Sequence, residues 1–162
     1  MPTNFLDAAG VNGFIATPFP LLSNELNALA NNTSALSSVN GSSGVFSSAN
    51  YAQAIWAQLY LTLGGSITCL AGDLIAGWFI MSPDGGSTFE ITVSANDQPR
   101  TPDFRIPFTA NAYTSGQIIL VDGITRIPSW SHKIFVMSHI QGGALPAVNT
   151  NIIKAAPFAI QY

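Results

Sequence analysis

From Ile55 onward the chain alternates with a period of two. Ile55, Ala57, Leu59, Leu61 and Leu63 occupy one set of positions, and Trp56, Gln58, Tyr60 and Thr62 the other. Successive side chains of a strand point to opposite faces, so the pattern predicts a long strand with one apolar face. Its other face is only half polar, and such a surface meets another sheet, a loop or a second subunit. Gly64-Gly65 ends the strand. Leu74 to Met81 predicts a second strand, apolar on both faces, and Pro83-Asp84-Gly85-Gly86 turns the chain with glycines free to adopt positive φ. Phe89, Ile91 and Val93 alternate with Glu90, Thr92 and Ser94, which predicts a return strand and a hairpin. Phe104, Ile106 and Phe108 then alternate with Asp103, Arg105 and Pro107, and a proline inside the run marks an edge strand or a bulge. Gln117–Val121, Lys133–Ile140 and residues 151–162 supply three more strands, with turn signals at Asp122-Gly123 and Gly142-Gly143. Short strands at these intervals predict an all-β fold, an antiparallel β-sandwich or jelly roll, rather than a parallel α/β fold.

The first third of the chain carries a different signal. Residues 23–50 are rich in Ser, Asn and Gly and hold one charge, Glu25, after the Pro18-Phe19-Pro20 breaker. Leu22, Leu26 and Leu29 have helical spacing among poor helix formers, so a single helical turn and an edge strand are both open. The rest is expected to be an ordered loop crossing the surface, or an arm that orders on a partner. The chain therefore divides into residues 1–50, an N-terminal arm and loop packed on the same domain, and residues 51–162, the β-sandwich.

Composition narrows the function. Only 8% of the 162 residues are charged, against about 25% in an ordinary domain. A rigid, weakly charged scaffold whose surface is covered by neighbours accounts for that. Hydrophobic residues at 48% and a mean hydropathy of +0.33 exclude disorder for the chain as a whole. The net charge is −3, and the cations Arg100, Arg105, Arg126, Lys133 and Lys154 are scattered, which argues against nucleic acid. Cys69 has no partner for an internal disulfide and is expected to be a buried, inert thiol. The N-terminus lacks the pattern of a secretory signal, which leads to an expectation of synthesis in a cytoplasm. Residues 59–81 are long enough to span a bilayer, but Asp73 and four glycines interrupt them and no Lys or Arg flanks them within ten residues. Two strands and a turn fit better, so no membrane is expected.

The search for chemistry finds no catalytic motif. His132 and His139 are seven apart, on opposite faces of a strand, so one metal ion cannot take both. Asp97 and Asp103 flank Arg100 in what is expected to be a loop-closing ion pair. Asp84-Gly85-Gly86-Ser87 lacks the repeated oxygen ligands of a calcium loop. No nucleophile elbow, phosphate loop or zinc-protease motif is present, so no catalysis, cofactor or metal is expected. Trp78 is expected in the core. Trp56 and Trp130 are expected at an interface, with stacking on a sugar as the alternative.

Gly77-Trp78-Phe79-Ile80, Pro83-Asp84-Gly85-Gly86, Phe89-Glu90, Pro99-Arg100-Thr101-Pro102-Asp103 and Ala156–Tyr162 carry a family likeness. In this order they resemble small virion proteins of tailed phages, over roughly residues 50–162. The resemblance implies a jelly-roll decoration or cement protein on the capsid exterior, made in the bacterial host cytoplasm. Its role there is to bridge major capsid subunits, without enzymatic activity. The partners expected are the major capsid protein and copies of the chain itself, a trimer being one such assembly, with no nucleic acid and no membrane. The partner interface is expected to use Phe5, Leu6, Trp56, Tyr60, Trp130, Phe158 and Tyr162. The alternative function is a carbohydrate- or receptor-binding module of a phage tail, using Trp56, Trp130 or Tyr113.

Overall fold

The period-two segments around Leu59 and Ile106 become strands. The computed structural model describes residues 5–6, 17–38, 44–51, 54–90, 100–148 and 150–160, with backbone alone at 5, 6, 159 and 160. In chain order the strands are β1 (Phe5–Leu6), β2 (Phe19–Leu22), β3 (Ser34–Leu36), β4 (Trp56–Thr62), β5 (Ile67–Thr68) and β6 (Leu74–Met81). They continue with β7 (Phe104–Pro107), β8 (Ala112–Tyr113), β9 (Ile118–Leu120), β10 (Thr125–Arg126), β11 (His132–His139) and β12 (Ile152–Ile160). Two short 3₁₀ turns lie at Asn24–Leu26 and Ser48–Tyr51.

Two antiparallel sheets hold all of these except a small β5–β8 ribbon. One has the order β1-β12-β4-β10, with β2 also on β12 and β9 also on β4; the other is β3-β11-β6-β7. β1 and β2 share one edge of β12, and β9 and β10 share one edge of β4, so each pair behaves as one interrupted strand. Counted that way, eight strands run 1-8-3-6 in one sheet and 2-7-4-5 in the other. That is the order of a jelly roll, in which first and last strands are neighbours and the connections cross repeatedly between sheets.

The core lies between the sheets. Leu59, Leu61, Ile153 and Ala155 face Ile75, Phe79, Ile106, Ile134 and Val136, and none is more than 2% exposed. Each large side chain among them contributes about 1.5–3 kcal/mol by leaving water. Gly77 sits inside β6 because Phe104, its partner on β7, lies directly over it. A Cβ there would stand 2.0 Å from the Phe104 ring. Behind the same sheet a second cluster forms from Ala76, Trp78, Ile80, Phe135 and Met137. Registry aligns Trp78 with Phe135 and Ala76 with Met137, so β6 is apolar on both faces because each face has its own core.

The described parts of the Ser/Asn-rich segment are built into this sandwich. β3 pairs with β11 and Phe46 exchanges two backbone hydrogen bonds with His132, while β2, just before the segment, pairs with β12. Leu22 ends β2 and Leu26 ends the first 3₁₀ turn, and both are fully buried.

Residues 59–81 form most of β4, then β5 and β6. Asp73 is 3% exposed and accepts backbone N–H groups from Leu70, Gln141 and Gly142 at 2.8, 3.0 and 3.1 Å. Burial alone would raise its pKa, but the three donors outweigh it and hold the carboxyl below its usual range. Among the described residues no helix is long and apolar enough to cross a membrane. Cys69 is buried, and burial followed by the Asp73 charge pushes its thiol up to about 11, as expected of an inert cysteine.

β7 carries Pro107 and lies at the edge of its sheet, the position where a proline is tolerated. Only the start of the hairpin expected after β6 falls within the described residues. Its turn is present, with Asp84 accepting bonds from Ser87 N, Thr88 N and two hydroxyls. Beyond it, however, the edge of β6 is closed by other groups. Phe79 N–H donates to Asp103 Oδ2 at 2.8 Å, and the Phe79 carbonyl accepts from Arg100 Nη2 at 2.6 Å. The Met81 carbonyl accepts from Glu90 N, and Met81 N–H donates to the Glu90 carboxylate. Side chains thus occupy both ladder sites of Phe79, whereas the Met81 carbonyl keeps a backbone partner in Glu90. Residues 91–94 of the expected strand lie outside the described residues.

Candidate functional site

Two surfaces hold exposed apolar groups on a rigid backbone. The first is the outer face of the larger sheet. Along β4 the residues Trp56, Gln58, Tyr60 and Thr62 point away from the core and are half-buried, because Ala57, Leu59 and Leu61 take the inward positions. In register on one side stand Phe158, Ala156, Lys154 and Ile152 of β12. On the other side Leu120 and Ile118 of β9 face Tyr60 and Thr62, and Arg126 of β10 faces Trp56. Ile118 is 60% exposed and Leu120 58%.

A bulge separates β9 from β10: Leu120 pairs with Tyr60 and Thr125 with Ala57, so the outer strand spends two residues more than β4 over the same stretch. Gln58 Nε2 points into the bulge, toward the carbonyls of Val121 and Gly123. Ile124, in the same connection, is 51% exposed.

The second surface is a cleft of about 490 Å³ between the ends of the two sheets. Ile55, Arg126, Ile127, Pro128, Ser129 and Trp130 line one side, and Phe79, Met81 and Asp103 the other. Ile55 was expected on the inward face of β4. It precedes the strand instead and is 58% exposed at the cleft. Trp130 is 59% exposed, yet its backbone is fixed. Ile127 N–H donates to the Ile55 carbonyl, Ser82 N–H to the Ser131 carbonyl, and His132 Nδ1 lies 2.8 Å from the Trp130 carbonyl.

A carbonyl only accepts, so Nδ1 of His132 carries the proton and Nε2 accepts from the Tyr51 hydroxyl at 3.1 Å. Phe46, Tyr51 and Phe79 surround the ring at centroid distances of 6.2, 5.6 and 5.1 Å. Burial pushes the imidazole down to about 4, against smaller upward contributions from the Trp130 carbonyl and the Asp103 charge. Burial also raises the Tyr51 phenol above its usual range. With both nitrogens engaged and the ring fully buried, His132 supports the cleft wall and has no free nitrogen to offer a ligand. His139 lies on the opposite face of β11, beside Trp78 and Arg105.

Asp103 and Arg100 form the expected loop-closing pair, with Nη1 2.9 Å from both carboxylate oxygens. The two side chains are about a third exposed, so the pair itself adds little, and their bonds to Phe79 are what shape the edge. Asp97 lies outside the described residues.

The expected interface residues therefore separate. Trp56 and Tyr60 share the outer face. Trp130 lines the cleft instead, and Arg126 is common to both surfaces. Phe158, in register with Trp56, is 7% exposed and covered within the chain, because β12 runs between β4 and the β1/β2 edge. Phe5 and Leu6 pair through their backbones with Ile160 and Ala159 at that edge, and Tyr162 lies outside the described residues. Tyr113 is spent on structure: its hydroxyl accepts from Thr109 N and Ala110 N. Sequence reasoning missed Ile118, Leu120, Ile124 and Arg126. The unbroken apolar run Ile118–Val121 concealed which of its residues face outward. No protein-family model, curated protein or solved structure matches the chain.

Proposed function

We infer that the chain is a structural β-sandwich subunit that packs against copies of itself and against a larger protein lattice. The observation that carries this reading is the outer face of the larger sheet. There Ile118 and Leu120 stand open beside Trp56 and Tyr60, on a chain with little charge elsewhere to compensate. Apolar side chains at that exposure gain by association, and the strands beneath hold them in a fixed array.

The resemblance of the β6, Phe89-Glu90 and Arg100–Asp103 segments to tailed-phage virion proteins gives the assembly its setting. In that setting the chain decorates or cements the capsid exterior by bridging major capsid subunits together with copies of itself, a trimer being one such assembly. Jelly rolls recur in viral capsid and in lectin domains, so the topology is compatible with this role without selecting it.

Sedimentation equilibrium of the purified protein, with mass spectrometry of purified virions from its source, tests the proposal. A concentration-dependent oligomer and a multicopy virion component are expected. A protein that stays monomeric at the highest workable concentration and is absent from virions overturns it.

A further inference from the structure

The geometry points to the Trp130 cleft as a binding site for an acidic sugar residue, a function separate from assembly through the outer sheet face. Its volume of about 490 Å³ falls within the ordinary range of small-ligand sites, about 300–1,000 Å³. Its walls combine the two things a uronic acid residue needs. Trp130 and Ile55, both more than half exposed, offer an apolar plane for the C–H face of a pyranose ring. Arg126 offers a guanidinium that makes no ion pair among the described residues, and so is available for a bidentate bond to a carboxylate.

The one carboxylate in the cleft does not repel such a ligand as a bare charge would. Asp103 is paired with Arg100 at 2.9 Å, a guanidinium it shares with Glu90 at 3.3 Å. Its Oδ1 receives one bond from that partner, whereas Oδ2 receives two, from Arg100 and Phe79 N–H. Oδ1 therefore keeps acceptor capacity for a sugar hydroxyl. The Ser129 hydroxyl lines the same cleft.

Preorganisation favours the site. The segment carrying Trp130 is tied to Ile55, to Ser82 and, through His132, to the buried aromatic cluster, so binding orders little backbone. The free cation distinguishes an acidic sugar from a neutral one. A neutral glycan would use the aromatic plane and leave Arg126 unpaired.

Isothermal titration of the full chain with α-1,4-linked trigalacturonate, and with its carboxyl-reduced counterpart, tests this. Saturable binding of the acidic trisaccharide is expected, with affinity falling roughly tenfold or more in Arg126→Gln and for the reduced sugar. Trp130→Ala should remove binding of either sugar, while Ile118→Thr, outside the cleft and opposite Thr62 rather than Trp56, should leave it unchanged. Arg126 and Trp130 are exposed, and melting curves of their variants should overlay the wild type. No binding up to roughly 10 mM, or binding insensitive to Trp130→Ala, overturns the site. Equal affinity for the reduced sugar overturns its acidic specificity. Oligomer mass measured on the same samples separates these outcomes from the fate of the assembly proposal.

Discussion

On the outer face of the four-stranded sheet Trp78 and Phe135 are at most 1% exposed, whereas on the outer face of the larger sheet Ile118 and Leu120 keep 60% and 58%. Both faces are aliphatic and aromatic, but Trp78 and Phe135 stand on the central strands β6 and β11, whereas Ile118 and Leu120 stand on β9 at the edge of its sheet. They differ in what the chain lays over them. Phe89 packs on the Trp78 cluster with Lys133 stacked 4.8 Å from its ring, and the Arg100 carbonyl accepts the Trp78 indole N–H at 2.9 Å. The connection between β9 and β10 instead buries Val121 and leaves Ile124 51% exposed, covering neither Ile118 nor Leu120. One apolar face thus serves folding, and the other stays open to solvent.

The largest expected effect breaks the covered side of this contrast. Trp78→Ala empties the second cluster and frees the Arg100 carbonyl, and it should cost about 3–5 kcal/mol, measured by urea unfolding. A cost below about 1 kcal/mol would mean that the cluster is not a core.

Acid should come next, acting at the wall shared by cleft and core. His132 has a folded pKa of about 4 against an ordinary 6.5, so the folded state prefers the neutral ring. Its contribution is complete above pH 6.5 and is lost as the pH falls from there through about 4. A displacement of this size corresponds to about 3 kcal/mol. Wild-type melting temperature should therefore fall between pH 7 and pH 4.5, and His132→Phe should flatten that slope while lowering stability throughout. The depressed carboxyls of Asp73 and Asp84 act in the same direction at lower pH, below their ordinary 3.8. A wild-type midpoint constant from pH 7 to 4.5 would contradict the assignment of His132 as a neutral donor and acceptor.

The smallest effect on stability sharpens the open side. Ile118→Thr combined with Leu120→Thr should change unfolding free energy by no more than about 0.5 kcal/mol, because neither side chain is buried in the monomer. The same pair should weaken self-association roughly tenfold or more in sedimentation equilibrium. A large loss of stability with association intact would reverse the reading of the two faces.

The sequence disclosed these elements unevenly, for identifiable physical reasons. β4 and β6 were legible because seven and eight residues repeat a period of two or stay apolar throughout. β2 and β3, of four and three residues in a Ser/Asn-rich background, are too short for periodicity to emerge. Phe89, Ile91 and Val93 alternate as a partner for β6 would, yet the groups that close that edge at Phe79 come from Arg100 and Asp103, more than twenty residues away in the chain. The aromatic half of the outer face was legible through Trp56 and Tyr60. Its aliphatic half depends on a bulge that shifts register by two residues, and such a shift leaves no compositional trace. The cleft gathers four separate stretches of chain, and only Trp130 stood out beforehand.

The closed edge of β6 also restricts what kind of aggregate can grow. A bare strand edge invites another polypeptide to extend the sheet indefinitely, the route to fibres. Here the Arg100 guanidinium and the Asp103 carboxylate hold the main chain of Phe79, and the Glu90 carboxylate and backbone N–H hold that of Met81, so an incoming strand would have to evict charged groups before its first rung could form. Growth along that line is opposed, and copies of the chain can be crowded together without this edge seeding amyloid.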